Sequence, residues 1–209
     1  MNLVLMIFSM AFAVCTTTYN FIDVKPIDIY GIPLTAGFVL VACSYILSDC
    51  ITELYGRKVM NTILLITICL HLVTILVIQI ACILPPNKEW ELNTAFVSII
   101  GQSPKVAILS AIAFTCGTST NAYIMSKLKT LWKEKYFKWR AFLSTVAGEF
   151  VDCCAFFPIM FYGYLPAKEI VIMILIHTLA KCTWEVSVLP ITDKVVNYIK
   201  LKNNLIFNL

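Results

Sequence analysis

Glu149 and Asp152 stand three residues apart within Phe142–Phe157, FLSTVAGEFVDCCAFF, a stretch that otherwise reads as a lipid-type helix. Two carboxylates at that spacing project from one helical face. Each ionised carboxylate near the centre of a bilayer costs about 2.5–3.5 kcal/mol, so the pair must face protein or water and must find partners. Two other apolar runs carry same-face pairs, Asp49 with Glu53 and Lys181 with Glu185, and another apolar run carries Asn121. Three such pairs in one small bundle imply a polar cavity walled by their helices. The acids outnumber the single lysine by five to one. Even with Lys181 neutralising one acid and Arg140 reaching another from the rim, negative charge remains, or some acids carry protons. The guest expected in such a cavity is cationic or rich in N–H donors. A guanine-like base fits, because a carboxylate accepts from two adjacent N–H groups and Asn121 offers both a donor and an acceptor. Tyr45, Phe150, Phe156 and Trp184 could stack on a flat ring, with helix packing as the competing reading for them and for Asn121. The competing reading of the charged set is a buried ion-pair network that only fixes helix register.

The elements that must position these residues are membrane spans. The 209 residues are 60% hydrophobic and 13% charged, with a mean hydropathy of +0.85, against roughly 25% charged in a soluble domain. The fold class expected is an all-α integral membrane protein, a single domain over 1–209 with six transmembrane helices in one bundle. The apolar runs place the spans at 3–21, 34–54, 62–84, 106–125, 141–164 and 170–189. Asp23-Val24-Lys25-Pro26 reads as a loop, Gly31-Ile32-Pro33 opens the second run, Pro85-Pro86 ends the third and Pro190 closes the sixth, leaving a tail from Asp193. Asn87–Lys105 mixes polar residues with Trp90 and Phe96, which suits an interfacial connection. The small and hydroxylic patch Thr115–Asn121 suits close helix approach. Met1–Val14 has no basic residue before Lys25, so it reads as a retained first helix and not as a signal peptide. One side of this arrangement holds eleven Lys and Arg and the other four (Lys25, Lys88, Lys105 and Lys168), which puts both termini in the cytoplasm.

Several functions are disfavoured by the same residues. Most of the net charge of +4 sits in Lys127–Arg140, KLKTLWKEKYFKWR, between two apolar runs; a juxtamembrane loop beside anionic lipid explains it, and no nucleic-acid partner is expected. Nine cysteines form no C-x-x-C, and His71 and His177 lie within apolar segments, so neither a metal nor another cofactor is expected. Ser144 has no G-x-S-x-G context and sits five residues from Glu149, on another face, and there is no P-loop. Catalysis by a serine nucleophile and ATP hydrolysis by this chain are therefore not expected.

The segments DCITELYGRK (Asp49–Lys58), TSTNAYIMSKLK (Thr118–Lys129) and WRAFLSTVAGEFVDCCAFF (Trp139–Phe157) resemble, in order, the YhhQ or vitamin uptake transporter-like family of queuosine precursor transporters. The resemblance covers nearly the whole chain through D-x-x-x-E-x-Y-G, the Asn, and R-x-x-x-S-x-x-x-x-E-x-x-D. It implies a six-helix inner-membrane protein, similar in plan to the substrate-binding components of energy-coupling-factor transporters. It also implies import of 7-deazaguanines such as preQ0, preQ1 or queuine for salvage into tRNA modification. The residues it puts in the functional set are Asp49, Glu53, Asn121, Arg140, Glu149 and Asp152; membrane physics adds Lys181 and Glu185. The expected partners are a small purine-like molecule and the lipid bilayer, with homo-oligomerisation left open. A vitamin-binding subunit of an ATP-driven importer, and at greater distance an intramembrane enzyme, are the alternatives.

Overall fold

The computed structural model describes residues 3–23, 25–29, 32–101 and 104–207. Among them the chain runs α1 (Leu3–Ile22), β1 (Pro26–Ile29), β2 (Ile32–Thr35), α2 (Phe38–Tyr55), α3 (Arg57–Ile83), α4 (Asn93–Ile100), α5 (Pro104–Leu131), α6 (Phe137–Phe161) and α7 (Ala167–Phe207). Five helices, α1, α2, α3, α6 and α7, are long and apolar enough to cross a membrane, and α5 has 28 residues. Their outer faces are apolar: Leu65, Leu70, Val73, Leu76, Val77 and Ile80 of α3 are all exposed. Aromatic residues gather at both ends of α6, with Trp132, Tyr136 and Trp139 at one and Tyr162 and Tyr164 at the other, as in the aromatic belts of membrane–water interfaces. The protein is a multi-pass, all-α membrane protein.

Within the bundle α2 is the most enclosed helix, with ten of its 18 residues buried. Its helical pattern stops at Gly56, whose φ of +86° is a conformation that costs glycine little and other residues more. Arg57 then begins α3, so a single residue turns the chain and holds Glu53 at the very end of α2. α6 packs most extensively against α5 and then against α7. The α5–α6 approach is set by two facing glycines. A Cβ on Gly148 would fall 2.9 Å from the Gly117 carbonyl oxygen, 2.9 Å from Asn121 Cβ and 2.8 Å from the ring of Tyr45. The fully buried Tyr45 ring wedges against this crossing and meets Phe114 edge-on.

Two elements depart from the sequence-based expectation. The loop expected around Lys25-Pro26, and the start of the second run at Gly31-Ile32-Pro33, form an antiparallel hairpin in which Ile27 pairs with Leu34 and Asp28 with Pro33; Gly31 itself lies outside the described residues. α2 accordingly begins at Phe38 and not at Leu34. Pro190, expected to close the last run, lies inside α7, which continues through Asp193. The proline removes one backbone bond, but Leu189, Thr192 and Val196 are buried around it, and that packing carries the helix onward. α3 begins at Arg57, ahead of the run expected from 62, and α5 continues to Leu131, past the run expected to end at 125; α3 stops before Pro85-Pro86 as expected. The interfacial connection contains α4, with Trp90 against Phe96 at 5.7 Å. The Lys105 side chain, one of the four used to orient the chain, is outside the described residues.

Candidate functional site

Polar residues recur along the inward side of α6, turn by turn: Arg140, Thr145 with Ser144 beside it, Glu149, and Asp152; Ser144 and Glu149, expected on different faces, are both fully buried there. At 1.5 Å per residue the series climbs about 18 Å. Each level receives a different helix. At the lowest, Arg140 clasps Glu53 of α2 with two nitrogens, at 2.6 and 3.1 Å. It also donates to the carbonyls of Lys135 and Glu134, at 2.9 and 3.2 Å. Lys200 of α7 bonds the same Glu53 carboxylate, and Lys129 of α5 donates to the Glu53 carbonyl at 2.6 Å. Arg140 and Glu53 are fully buried. Glu53 thus joins four helices, and both of its carboxylate oxygens accept hydrogen bonds from cations.

One turn up, Asp49 accepts from the Asn121 amide at 2.9 Å, and Ser144 Oγ, which has the Ala141 carbonyl at 2.9 Å as its nearer acceptor, lies 3.3 Å from the same Asp49 oxygen. Thr145 Oγ1 lies 3.5 Å from the other Asp49 oxygen and 2.9 Å from Glu185 Oε1. Glu185 Oε2 and Asn121 Oδ1 are buried without a hydrogen-bond partner among the described residues. Above the glycine crossing, Lys181 bridges Glu149 at 2.6 Å and Asp152 at 3.3 Å. Glu149 Oε1 has no partner among the described residues. Ligand atoms of Glu149, Asp152 and Cys153 lie within 4.8 Å of one another, the one set among the described residues with the donors to hold a metal ion; the Lys181 ammonium already sits on both its acids.

Asp152 and Lys181 open into a cavity of about 530 Å³ bounded by α1, the hairpin, the start of α2, α5, α6 and α7, within the roughly 300–1,000 Å³ of small-molecule sites. Its apolar wall is aromatic and thioether-rich, with Phe38, Phe156, Phe157, Phe161, Met160 and Met173. Its polar edge is Asp23, Asn20, Tyr19, Ser110, Thr35 and His177. Asp23 follows directly on α1, and the Thr35 hydroxyl and Gly37 N–H lie against its carboxylate. Burial, partly offset by those two donors and by Lys181, pushes the Asp23 carboxyl above its ordinary range. Its Oδ1 has no hydrogen-bond donor among the described residues.

The residues singled out from sequence thus fall at three levels and not in one chamber. Asp152 and Lys181 line the cavity, with Glu149 behind Lys181; Asp49, Asn121 and Glu185 lie beneath it; Glu53 and Arg140 lie at the far end. Of the four aromatics, Phe156 lines the cavity. Tyr45 is buried at the glycine crossing, Phe150 is 45% exposed on the outside, and Trp184 meets Phe38 edge-on at 6.4 Å. Sequence reading passed over Asp23, whose signal was an acid placed where the first apolar run ends. It also passed over Lys200 and Lys129, which looked like ordinary interfacial cations.

No solved structure matches the chain. Over 153 residues it is 25% identical to a curated protein of Bacillus subtilis (strain 168) named "Probable queuosine precursor transporter", an alignment that covers 73% of this chain and 67% of that one. Residues 35–195, from the end of β2 to beyond Pro190, match the model of the family described as "Putative vitamin uptake transporter". That match spans every level of the α6 series, and the chain belongs to this vitamin uptake transporter family.

Proposed function

We propose that the protein imports queuosine precursors, 7-deazaguanines such as preQ0, preQ1 or queuine, across the bacterial inner membrane for salvage into tRNA modification. α5 serves as the sixth span, and the Lys- and Arg-rich α5–α6 connection and both termini face the cytoplasm. The cavity, at the opposite end of α6, then opens outward. The observation that carries the reading is this cavity, in which two carboxylates and one ammonium meet an aromatic wall. A flat base stacks on Phe156 and its neighbours while Asp152 and Asp23 accept from its N–H edge and Lys181 donates to its carbonyl. Glu149 holds Lys181 in place. The charge balance, three acids to one lysine, favours a cargo that is cationic or rich in donors. In this reading the cargo passes through unchanged, as the names of the family and of the Bacillus subtilis relative suggest.

Uptake of labelled preQ1 or queuine into cells unable to make them tests the reading. Wild-type protein should restore accumulation, and Asp152→Ala and Glu149→Gln should reduce it at least tenfold with the protein still present in the membrane. Uptake undiminished in both variants would remove the site.

A further inference from the structure

The middle level holds two carboxylates that the rest of the site leaves unanswered. Asp49 and Glu185 are each 1% exposed, and neither touches a cation among the described residues. The nearest cations on the same helices are committed elsewhere, Arg140 to Glu53 one turn below Ser144, and Lys181 to Glu149 and Asp152 one turn from Glu185. The other titratable groups facing the pair, Glu53 and Cys50 of α2, Glu149 of α6 and Cys182 of α7, are acids or neutral. Two adjacent anions buried without a counter-charge are far costlier than one anion sharing a proton with the other.

Hydrogen counting points the same way. The Thr145 hydroxyl owns one hydrogen and stands between both carboxylates, 2.9 Å from Glu185 and 3.5 Å from Asp49. It can donate to only one. A proton on Asp49 resolves the conflict, because Asp49 then donates to Thr145 and Thr145 to Glu185. Glu185 Oε2 and Asn121 Oδ1, on residues that bond Thr145 and Asp49, are buried acceptors with no donor among the described residues.

We infer that Asp49, Thr145 and Glu185 form a proton-binding site that couples cargo import to proton entry, an inference that rests on the transport reading above. The three residues belong to α2, α6 and α7, so the bound proton ties together the helices that seal the chamber from the cytoplasmic side. When those helices part, water reaches the pair, the shared proton leaves to it, and both acids ionise. One proton is bound and one released in each cycle, with no other co-reactant.

Reconstituted protein separates this inference from the one beneath it. Exchange of labelled for unlabelled preQ1 across proteoliposomes without a pH difference reports cargo passage alone. Net accumulation against an alkaline lumen, with a pH-sensitive dye inside, reports coupling. The wild type should exchange and should accumulate about tenfold more per pH unit for one proton per cargo, with the dye recording proton entry. Glu185→Gln and Asp49→Asn, which keep the shape of the protonated acid, should retain exchange and lose the gradient-driven gain. Exchange in the wild type with accumulation indifferent to the gradient would overturn the inference and leave the transporter standing. A full gradient response in both variants would also overturn it, as would loss of exchange in both, which would assign the pair to cargo binding or to the fold. Absence of exchange in the wild type would sink the transport reading itself.

Discussion

The two ends of the α6 series use the same kinds of residue and arrange them oppositely. Around Arg140, one carboxylate meets an arginine and two lysines, the donors fit their acceptors, and the pair is fully buried. Around Asp152, one lysine serves two carboxylates, a third stands across the cavity, and acceptor oxygens on Glu149 and Asp23 are left without donors among the described residues. The first arrangement satisfies its own donors and acceptors and joins four helices. The second is short of donors and lines a cavity, and a donor-rich cargo of the kind proposed would supply the missing hydrogens. Intramembrane charge marks function only where its partners do not already satisfy it.

If that contrast holds, the largest effect on folding belongs to the closed end. Arg140→Ala removes bonds to Glu53 and to two carbonyls while leaving the carboxylate buried, and loss of one partner of a buried pair costs about 3–5 kcal/mol. A sharp fall in the thermal midpoint of detergent-purified protein is the expected reading. An unchanged midpoint would mean that Lys200 and Lys129 alone suffice and that Arg140 is free for another task.

The boundary between the two ends comes next. Gly148→Ala sets a methyl group 2.8 Å from the Tyr45 ring and 2.9 Å from the α5 backbone, and overpacking of this kind costs about 1–3 kcal/mol. Because the crossing forms the floor beneath Glu149, cargo affinity should weaken along with stability. At the open end Lys181→Met should be milder on the fold, at about 1 kcal/mol, since the carboxylates it leaves can take up protons or reach cavity water. Cargo binding should nonetheless fall at least tenfold. Measuring both variants by melting and by equilibrium binding of labelled preQ1 separates the two regions: a Lys181→Met variant as unstable as Arg140→Ala would erase the distinction.

The long apolar helices were legible because lipid demands such runs, and the loci of charge were legible because membranes make them rare. What spacing could not convey is the level at which one helix meets another. Asp49 and Glu53 share a face, yet one turn between them sends the first to Asn121 and Thr145 and the second to Arg140. Lys181 and Glu185 part in the same way, upward to the cavity and across to Thr145. A proline weighs against a helix locally, so the continuation of α7 through Pro190 was hidden, and with it the return of Lys200 to Glu53. The hairpin was hidden because its prolines and charges read as a loop, and with it went Asp23, which β2 and the start of α2 hold in the cavity wall.

Asp23 provides the finest test of the contrast, because there the demands of folding and of binding have opposite signs. Its carboxyl is pushed up chiefly by burial, so the folded protein favours the protonated form more than the unfolded chain does. The stability this confers is full below the unfolded pKa and is lost as pH rises through the folded one. Above that window the ionised group therefore weighs on the fold. Asp23→Asn keeps an acceptor for Thr35 and Gly37 without the charge, so its melting midpoint there should be slightly above that of the wild type, and the difference should shrink as the pH is lowered. Cargo affinity should move the other way, because the carboxylate is an acceptor the cavity holds open for an N–H edge. A variant that loses stability without losing affinity would make Asp23 a strut for the hairpin, and the open end of α6 would then keep one acid fewer than its contrast with the closed end requires.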